Sequence, residues 1–176
     1  MPNDSPDIEE IIRHFNLKPL PEEGGYFCEM YRSEEELAPH ALPQRYTTAH
    51  RMYTSIYYLI TDQRNGFSAL HQLKTDEIYH FYLGDPVRMA LIDHDGTVKF
   101  QILGTDFIRG QSPQFLVPQG VWQGAKLCSG GKYALLGTTM APGYTQEDFT
   151  LGKRETLIRL FPHAISVIEE YTHPLE

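Results

Sequence analysis

The sequence predicts an all-β protein, folded as an antiparallel sandwich or barrel. From residue 51 to about 139 the chain is a succession of short runs rich in Tyr, Phe, Val, Ile and Leu, broken at close intervals by turn-forming residues. No stretch between those runs has the length and 3.6-residue apolar period of a helix, so the crossovers of a parallel α/β sheet are missing. The turns include G-D-P at 84–86 and D-H-D-G at 93–96, both suited to joining antiparallel strands.

Taken in order, Ser5 before Pro6 has the form of a helix start, and Ile8, Ile11, Ile12 and Phe15 recur on one face. That short helix ends before Pro19 and Pro21. Gly24-Gly25 then opens an extended run, Y-F-C-E-M-Y-R-S, so residues 5–33 read as a helix followed by a strand. Residues 34–50 are polar and contain proline, which predicts a long surface loop or flap. Strands are expected over 52–60, 69–73, 77–83, 87–92, 98–103, 114–117, 123–127 and 133–139, giving a barrel core of about 51–140. Thr145 and Asp148 are spaced as a capping box, although Gly152 interrupts the helix they would start. Two short helices, 155–161 and 164–171, flank Pro162 and make 145–172 a helical tail. The whole chain, 1–176, reads as one domain.

Composition narrows the function classes. A formal net charge of −8 without a Lys/Arg cluster argues against a nucleic-acid partner. No apolar run is long enough for a membrane span, and the start M-P-N-D-S-P-D has no signal-like character, so the expectation is a cytoplasmic protein with no membrane partner. Cys28 and Cys128 have no metal-type spacing and are expected to be reduced. Eleven tyrosines and nine phenylalanines fit a lined pocket or an interface as well as plain strand preference.

One stretch carries more chemistry than the rest: G-F-S-A-L-H-Q-L-K-T-D-E-I-Y-H-F-Y-L-G from Gly66 to Gly84, followed by P-Q-G-V-W-Q from Pro118 to Gln123. Together they resemble the paired motifs of the cupin superfamily, whose first motif offers a metal two histidines and a glutamate and whose second offers a third histidine. His71, Glu77 and Gly84 match, while Leu73 and Gln123 occupy two histidine positions and Leu127 the usual asparagine. E-G-G-Y-F at 23–27, T-D-E-I-Y-H-F-Y at 75–82, G-D-P at 84–86, V-P-Q-G-V-W-Q at 117–123 and A-P-G-Y at 141–144 are similar to an uncharacterised cupin-like branch. The resemblance implies a double-stranded β-helix (an RmlC-like jelly roll) with a short N-terminal helix and short C-terminal helices. It also implies a homodimer, and a divalent metal held by His71, Glu77 and Gln123 as the candidate cofactor, though none is firmly implied.

Strand parity adds to this. Ala69, His71 and Leu73 share one face, and Glu77, Tyr79 and Phe81 share one face of the next strand. If these strands pair as a hairpin through Lys74-Thr75-Asp76, His71 and Glu77 face the same interior, with His80 turned away. Three readings stay open. A histidine beside a carboxylate can exchange protons without a metal, with Tyr57, Tyr79 or Tyr133 as the opposing acid and Gln123, Leu73, Phe81 and Arg51 around a small polar metabolite. That would be the chemistry of a metal-independent isomerase or epimerase acting on a sugar-like or other polar metabolite, similar in architecture to the sugar-nucleotide epimerases of the wider superfamily. The second reading is a metal enzyme with a reduced ligand set. The third is a non-catalytic binding module whose His71 is merely satisfied by Glu77 or Gln123. Trp122, of opposite parity to Gln123, is expected in an outer layer, and the aromatics of E-G-G-Y-F are expected to cap a pocket or build an interface. Gly25 to Arg32 is the candidate edge for dimer pairing.

Overall fold

The computed structural model describes residues 7–173. Two antiparallel sheets face each other. The first runs in the order β1 (Lys18–Pro19), β2 (Tyr26–Arg32), β5 (Thr54–Thr61), β12 (Tyr133–Met140), β7 (Glu77–Gly84) and β10 (Gln114–Val117). The second runs β13 (Phe149–Leu151), β6 (Ser68–Leu73), β11 (Trp122–Leu127), β8 (Val87–Ile92) and β9 (Val98–Leu103). A separate ribbon pairs β3 (Glu36–Leu37) with β4 (His50–Arg51). This is the all-β jelly roll, and its order is non-sequential because from β5 to β13 the chain changes sheet at every connection except that between β8 and β9.

Period-two alternation fills the space between the sheets. Tyr58, Ile60, Tyr79, Phe81, Met89, Leu91, Val117, Ala125 and Leu136 form the inner core. Both outer faces are covered as well. Helix α1 (Ile8–His14) and the turn after it lay Ile11 and Leu17 on Leu59 and Leu135 of the first sheet. Helices α2 (Arg154–Leu160) and α3 (Ile165–Glu170) set Leu157, Ala164, Ile168 and Tyr171 on Leu70, Ala90 and Ile92 of the second, with Trp122 packed at the edge of that layer. Fully burying one leucine in such a layer contributes about 1.5–3 kcal/mol. No described helix is long and apolar enough to cross a membrane.

Four expectations are corrected or relocated. The expected helix start at Ser5 and Pro6 lies outside the described residues; the first turn closes at Asp7, whose N–H donates to Glu10 Oε2 at 3.2 Å. Residues 34–50 run mostly along the surface, as expected, but are no free flap, because His50 is buried and its Nε2 lies 2.6 Å from Asp148 Oδ2. Tyr46 closes over the same place, its hydroxyl 2.8 Å from Thr75 Oγ1. The tail is not helical from 145 onward. A single 3₁₀ turn at Gln146–Asp148 leads into β13, which pairs with β6 so that Phe149 stands opposite Leu73. Lastly, β6 and β7 do not form a hairpin. Lys74–Asp76 carries the chain from one sheet to the other, so His71 and Glu77 approach across the interior.

Candidate functional site

A cavity of about 560 Å³ opens between the sheets at the end where β6 hands over to β7. His71 projects into it from β6 and Glu77 from the start of β7, with His71 Nε2 3.9 Å from Glu77 Oε2. Register places Gln123 opposite His71 on β11, next to a bulge. Gln123 Nε2 donates to Glu77 Oε2 at 2.8 Å, and its Oε1 is buried with no partner. Asp76 accepts the Gln119 N–H at 2.8 Å and so ties the loop of the second motif to the residue before Glu77.

A second carboxylate completes the floor. Glu23 Oε1 lies 3.9 Å from His71 Nδ1 on the side away from Glu77 and accepts the Ser68 hydroxyl at 2.7 Å. The turn that delivers it depends on Gly24, at φ +104, where a Cβ would stand 2.3 Å from the Phe67 carbonyl oxygen. Backbone bonds hold this turn against β6, with Ala69 N–H donating to the Glu23 carbonyl at 2.9 Å and Gly25 N–H to that of Asn65 at 2.8 Å. His71 Nδ1 faces the Ala69 carbonyl at 2.9 Å and, since a carbonyl only accepts, carries a proton. The Phe149 ring stacks on the imidazole, centroids 5.4 Å apart.

Burial and charge set the protonation states. Burial alone would lower the His71 pKa, but Glu23, Glu77 and the Ala69 carbonyl outweigh it and lift the group to about 9. Burial raises Glu23, and Glu77 adds to that, against the opposing pull of His71. Burial, reinforced by the same carboxylates, pushes the Tyr58 and Tyr79 phenols well above their ordinary value and Tyr144 to about 12. At neutral pH the floor therefore holds an imidazolium between carboxylates, and the phenols stay neutral. The most acidic of these protons belongs to the histidine.

Several residues singled out from sequence lie elsewhere. Tyr57 points outward and packs against Phe15 beneath α1, ring centroids 4.9 Å apart, while its neighbour Tyr58 takes the inward place. Tyr133 belongs to that same outer layer. Arg51 sits on the side ribbon, its Nη1 donating to the Glu34 carbonyl at 2.7 Å, and Arg32 reaches the cavity instead. Phe81 faces inward but deeper along β7, filled round by the core. Leu73 and Tyr79 do line the cavity, as do Phe27, Tyr144 and Phe149, of which Tyr144 and Phe149 were not anticipated. The Glu23 signal was present in E-G-G-Y-F, where two glycines mark a close backbone approach.

A family profile described as "Cupin superfamily (DUF985)" matches residues 9–152. The chain belongs to the cupin superfamily. The cupin is 27% identical over 163 residues to the uncharacterised yeast protein YML079W of Saccharomyces cerevisiae, covering 88% of this chain and 80% of that one. Among solved structures it resembles protein SO0799 from Shewanella oneidensis, at 28% identity and a TM-score of 0.84, over 97% of this chain and all (100%) of that one. It also resembles a hypothetical protein from Leishmania major, at 27% identity and a TM-score of 0.86, over 96% and 100% of the two chains.

Among the described residues, the cupin's side chains do not assemble a metal-ligand set of three or more His, Cys, Asp or Glu. A divalent ion asks for at least three or four donors, and no group of three or more His, Cys, Asp or Glu side chains is placed to hold one among the described residues. Leu73 puts hydrocarbon where a ligand would stand, and Gln123 directs its N–H at Glu77. His71, Glu77 and Gln123 are brought together as a hydrogen-bonded and ionic group.

Proposed function

We propose that this cupin binds a small polar metabolite in the cavity and isomerises or epimerises it by proton transfer without a metal. The observation that carries the reading is His71 held between Glu23 and Glu77, 3.9 Å from each. Burial raises the pKa of Glu23 and makes its carboxylate a stronger base than a solvated one, and an imidazolium is a competent acid. Glu23 would take a proton from the ligand and His71 would return one, leaving the ligand's formula unchanged. Tyr58 and Tyr79, with their phenols pushed up, orient the ligand and do not supply the proton.

Incubation of the protein with a panel of metabolites in D₂O, followed by NMR, tests this. The expected result is deuterium entering one carbon position of a bound compound, together with an isomeric product, and loss of both in His71→Asn. Binding without deuterium entry or product would overturn the isomerase reading in favour of a binding module.

A further inference from the structure

The cavity lining also specifies the charge of its ligand, an inference that rests on the cavity being the ligand site. Four carboxylates, Glu22, Glu23, Glu29 and Glu77, face a single guanidinium and a single imidazole, with no lysine. The carboxylates outnumber the basic side chains of the lining by two. The guanidinium is already engaged. Arg32 Nε lies 3.0 Å from both oxygens of Glu29, its Nη2 2.6 Å from Oε2, and its Nη1 donates to the Tyr144 carbonyl at 3.1 Å. An anionic ligand would meet buried carboxylates and no free cation, which is unfavourable through both desolvation and like-charge repulsion.

Hydrogen-bond supply points the same way. Glu23 Oε1 takes the Ser68 hydroxyl and Glu77 Oε2 the Gln123 amide, so both carboxylates act as acceptors at the floor. The side-chain oxygen of Gln123, beside Glu77, is a further buried acceptor without a donor. A ligand that brings N–H or O–H donors suits the carboxylates of this floor. The walls around it are apolar and aromatic, formed by Leu20, Phe27, Ile56, Leu73, Met140 and Phe149. Aromatic faces tolerate a nearby cation.

We propose that the cavity takes a small organic cation, an amine whose charged head is held by Glu23 and Glu77 and whose apolar body lies along these walls. Phosphorylated and carboxylated metabolites, nucleotide sugars among them, are rejected by the same charges.

Phenethylamine, 2-phenylethanol and phenylacetate share a body and differ in charge. Each is titrated into the full chain carrying ¹³C-methyl methionine. Met140, on the cavity wall, reports binding there, and Met89, buried in the core, serves as the control. Phenethylamine is expected to shift the Met140 methyl saturably and to bind at least about tenfold more tightly than phenylacetate. Glu23→Gln is expected to weaken the amine about tenfold while leaving 2-phenylethanol within about twofold; Glu77→Gln provides the same comparison should the first variant fold poorly. Phenylacetate binding as tightly as the amine would overturn the proposal, and so would amine affinity unchanged in the folded variants. Amine binding with no deuterium entry in any ligand would sink the isomerase reading alone. Deuterium entry into an anionic ligand that binds more tightly than the amine would sink the cation preference alone.

Discussion

Gln123 and Glu77 are joined by one hydrogen bond, from Nε2 to Oε2 at 2.8 Å, and the same amide leaves its oxygen buried without a partner. A lone amide acceptor inside a protein costs about 1–3 kcal/mol. This residue stands where the cupin motif would place a histidine, and Leu73 stands at another such position. The two differences act together: one removes a donor atom and the other turns the remaining glutamate toward an amide.

That pairing predicts how metal binding can be restored. Protein prepared without an affinity tag and incubated with Mn, Fe, Ni or Zn should carry well under one equivalent by elemental analysis. The double variant Leu73→His, Gln123→His supplies four donors with His71 and Glu77 and should approach one equivalent. Stoichiometric metal in the unmodified protein, resistant to dialysis, would contradict the ionic reading of the floor.

The flanking carboxylates predict a titration. His71 should titrate near pH 9 by NMR, and Glu23→Gln or Glu77→Gln should each move it downward. The sign for stability follows from linkage. A folded-state pKa above the unfolded value of 6.5 means that the contribution of His71 is complete below pH 6.5 and disappears as pH rises through about 9. The loss is on the order of 3 kcal/mol. Denaturant midpoints should fall between pH 6.5 and 9.5, and the fall should be shallower in His71→Gln. A midpoint independent of pH over that window in the unmodified protein would count against the imidazolium.

Gly24 predicts a link between backbone and site. At φ +104, with carbonyl oxygens 2.3 and 2.8 Å from any added Cβ, Gly24→Ala must shift the turn. Strain of this kind costs roughly 1–3 kcal/mol. Because the turn delivers Glu23, the variant should also lower the His71 titration midpoint. Loss of stability with no change in that midpoint would separate the two.

The open half of β2 predicts a homodimer. β1 pairs only with Tyr26 and Phe27, leaving the stretch from Met30 onward as an edge. Met30 is 55% exposed and Tyr31 42%, with Tyr31 stacked on the exposed Tyr53 at 5.1 Å between ring centroids. Light scattering at micromolar concentration should give twice the chain mass, and Met30→Lys should give the single mass. A monomer in the unmodified protein would refute this.

Some of the site could be read from residue order. Glu77, Tyr79 and Phe81 were placed on one face by period-two spacing, and inward by the motif that Glu77 matches; β7 does bury that face and leaves Ile78, His80 and Tyr82 more exposed. β5 gave no such contrast. Its outward Tyr57 and Leu59 are as apolar as its inward residues because α1 covers them, and parity alone could not choose between Tyr57 and Tyr58. His50 likewise looked like a loop histidine until Asp148, 98 positions away, was brought to it.

The sequence by itself determined an all-β antiparallel sandwich or barrel with short terminal helices, and its motif resemblance added the jelly roll and a His71–Glu77 couple with two ligand positions changed. These are local properties: alternation along a strand, turn-forming glycines, and spacing within a motif. Only the tertiary structure decided that His71 and Glu77 meet across two sheets, that Glu23 arrives from a turn before the barrel, and that β13 lays Phe149 over the imidazole. Those contacts join segments far apart in the chain, and their geometry is set by the packing of whole layers, which no local pattern encodes.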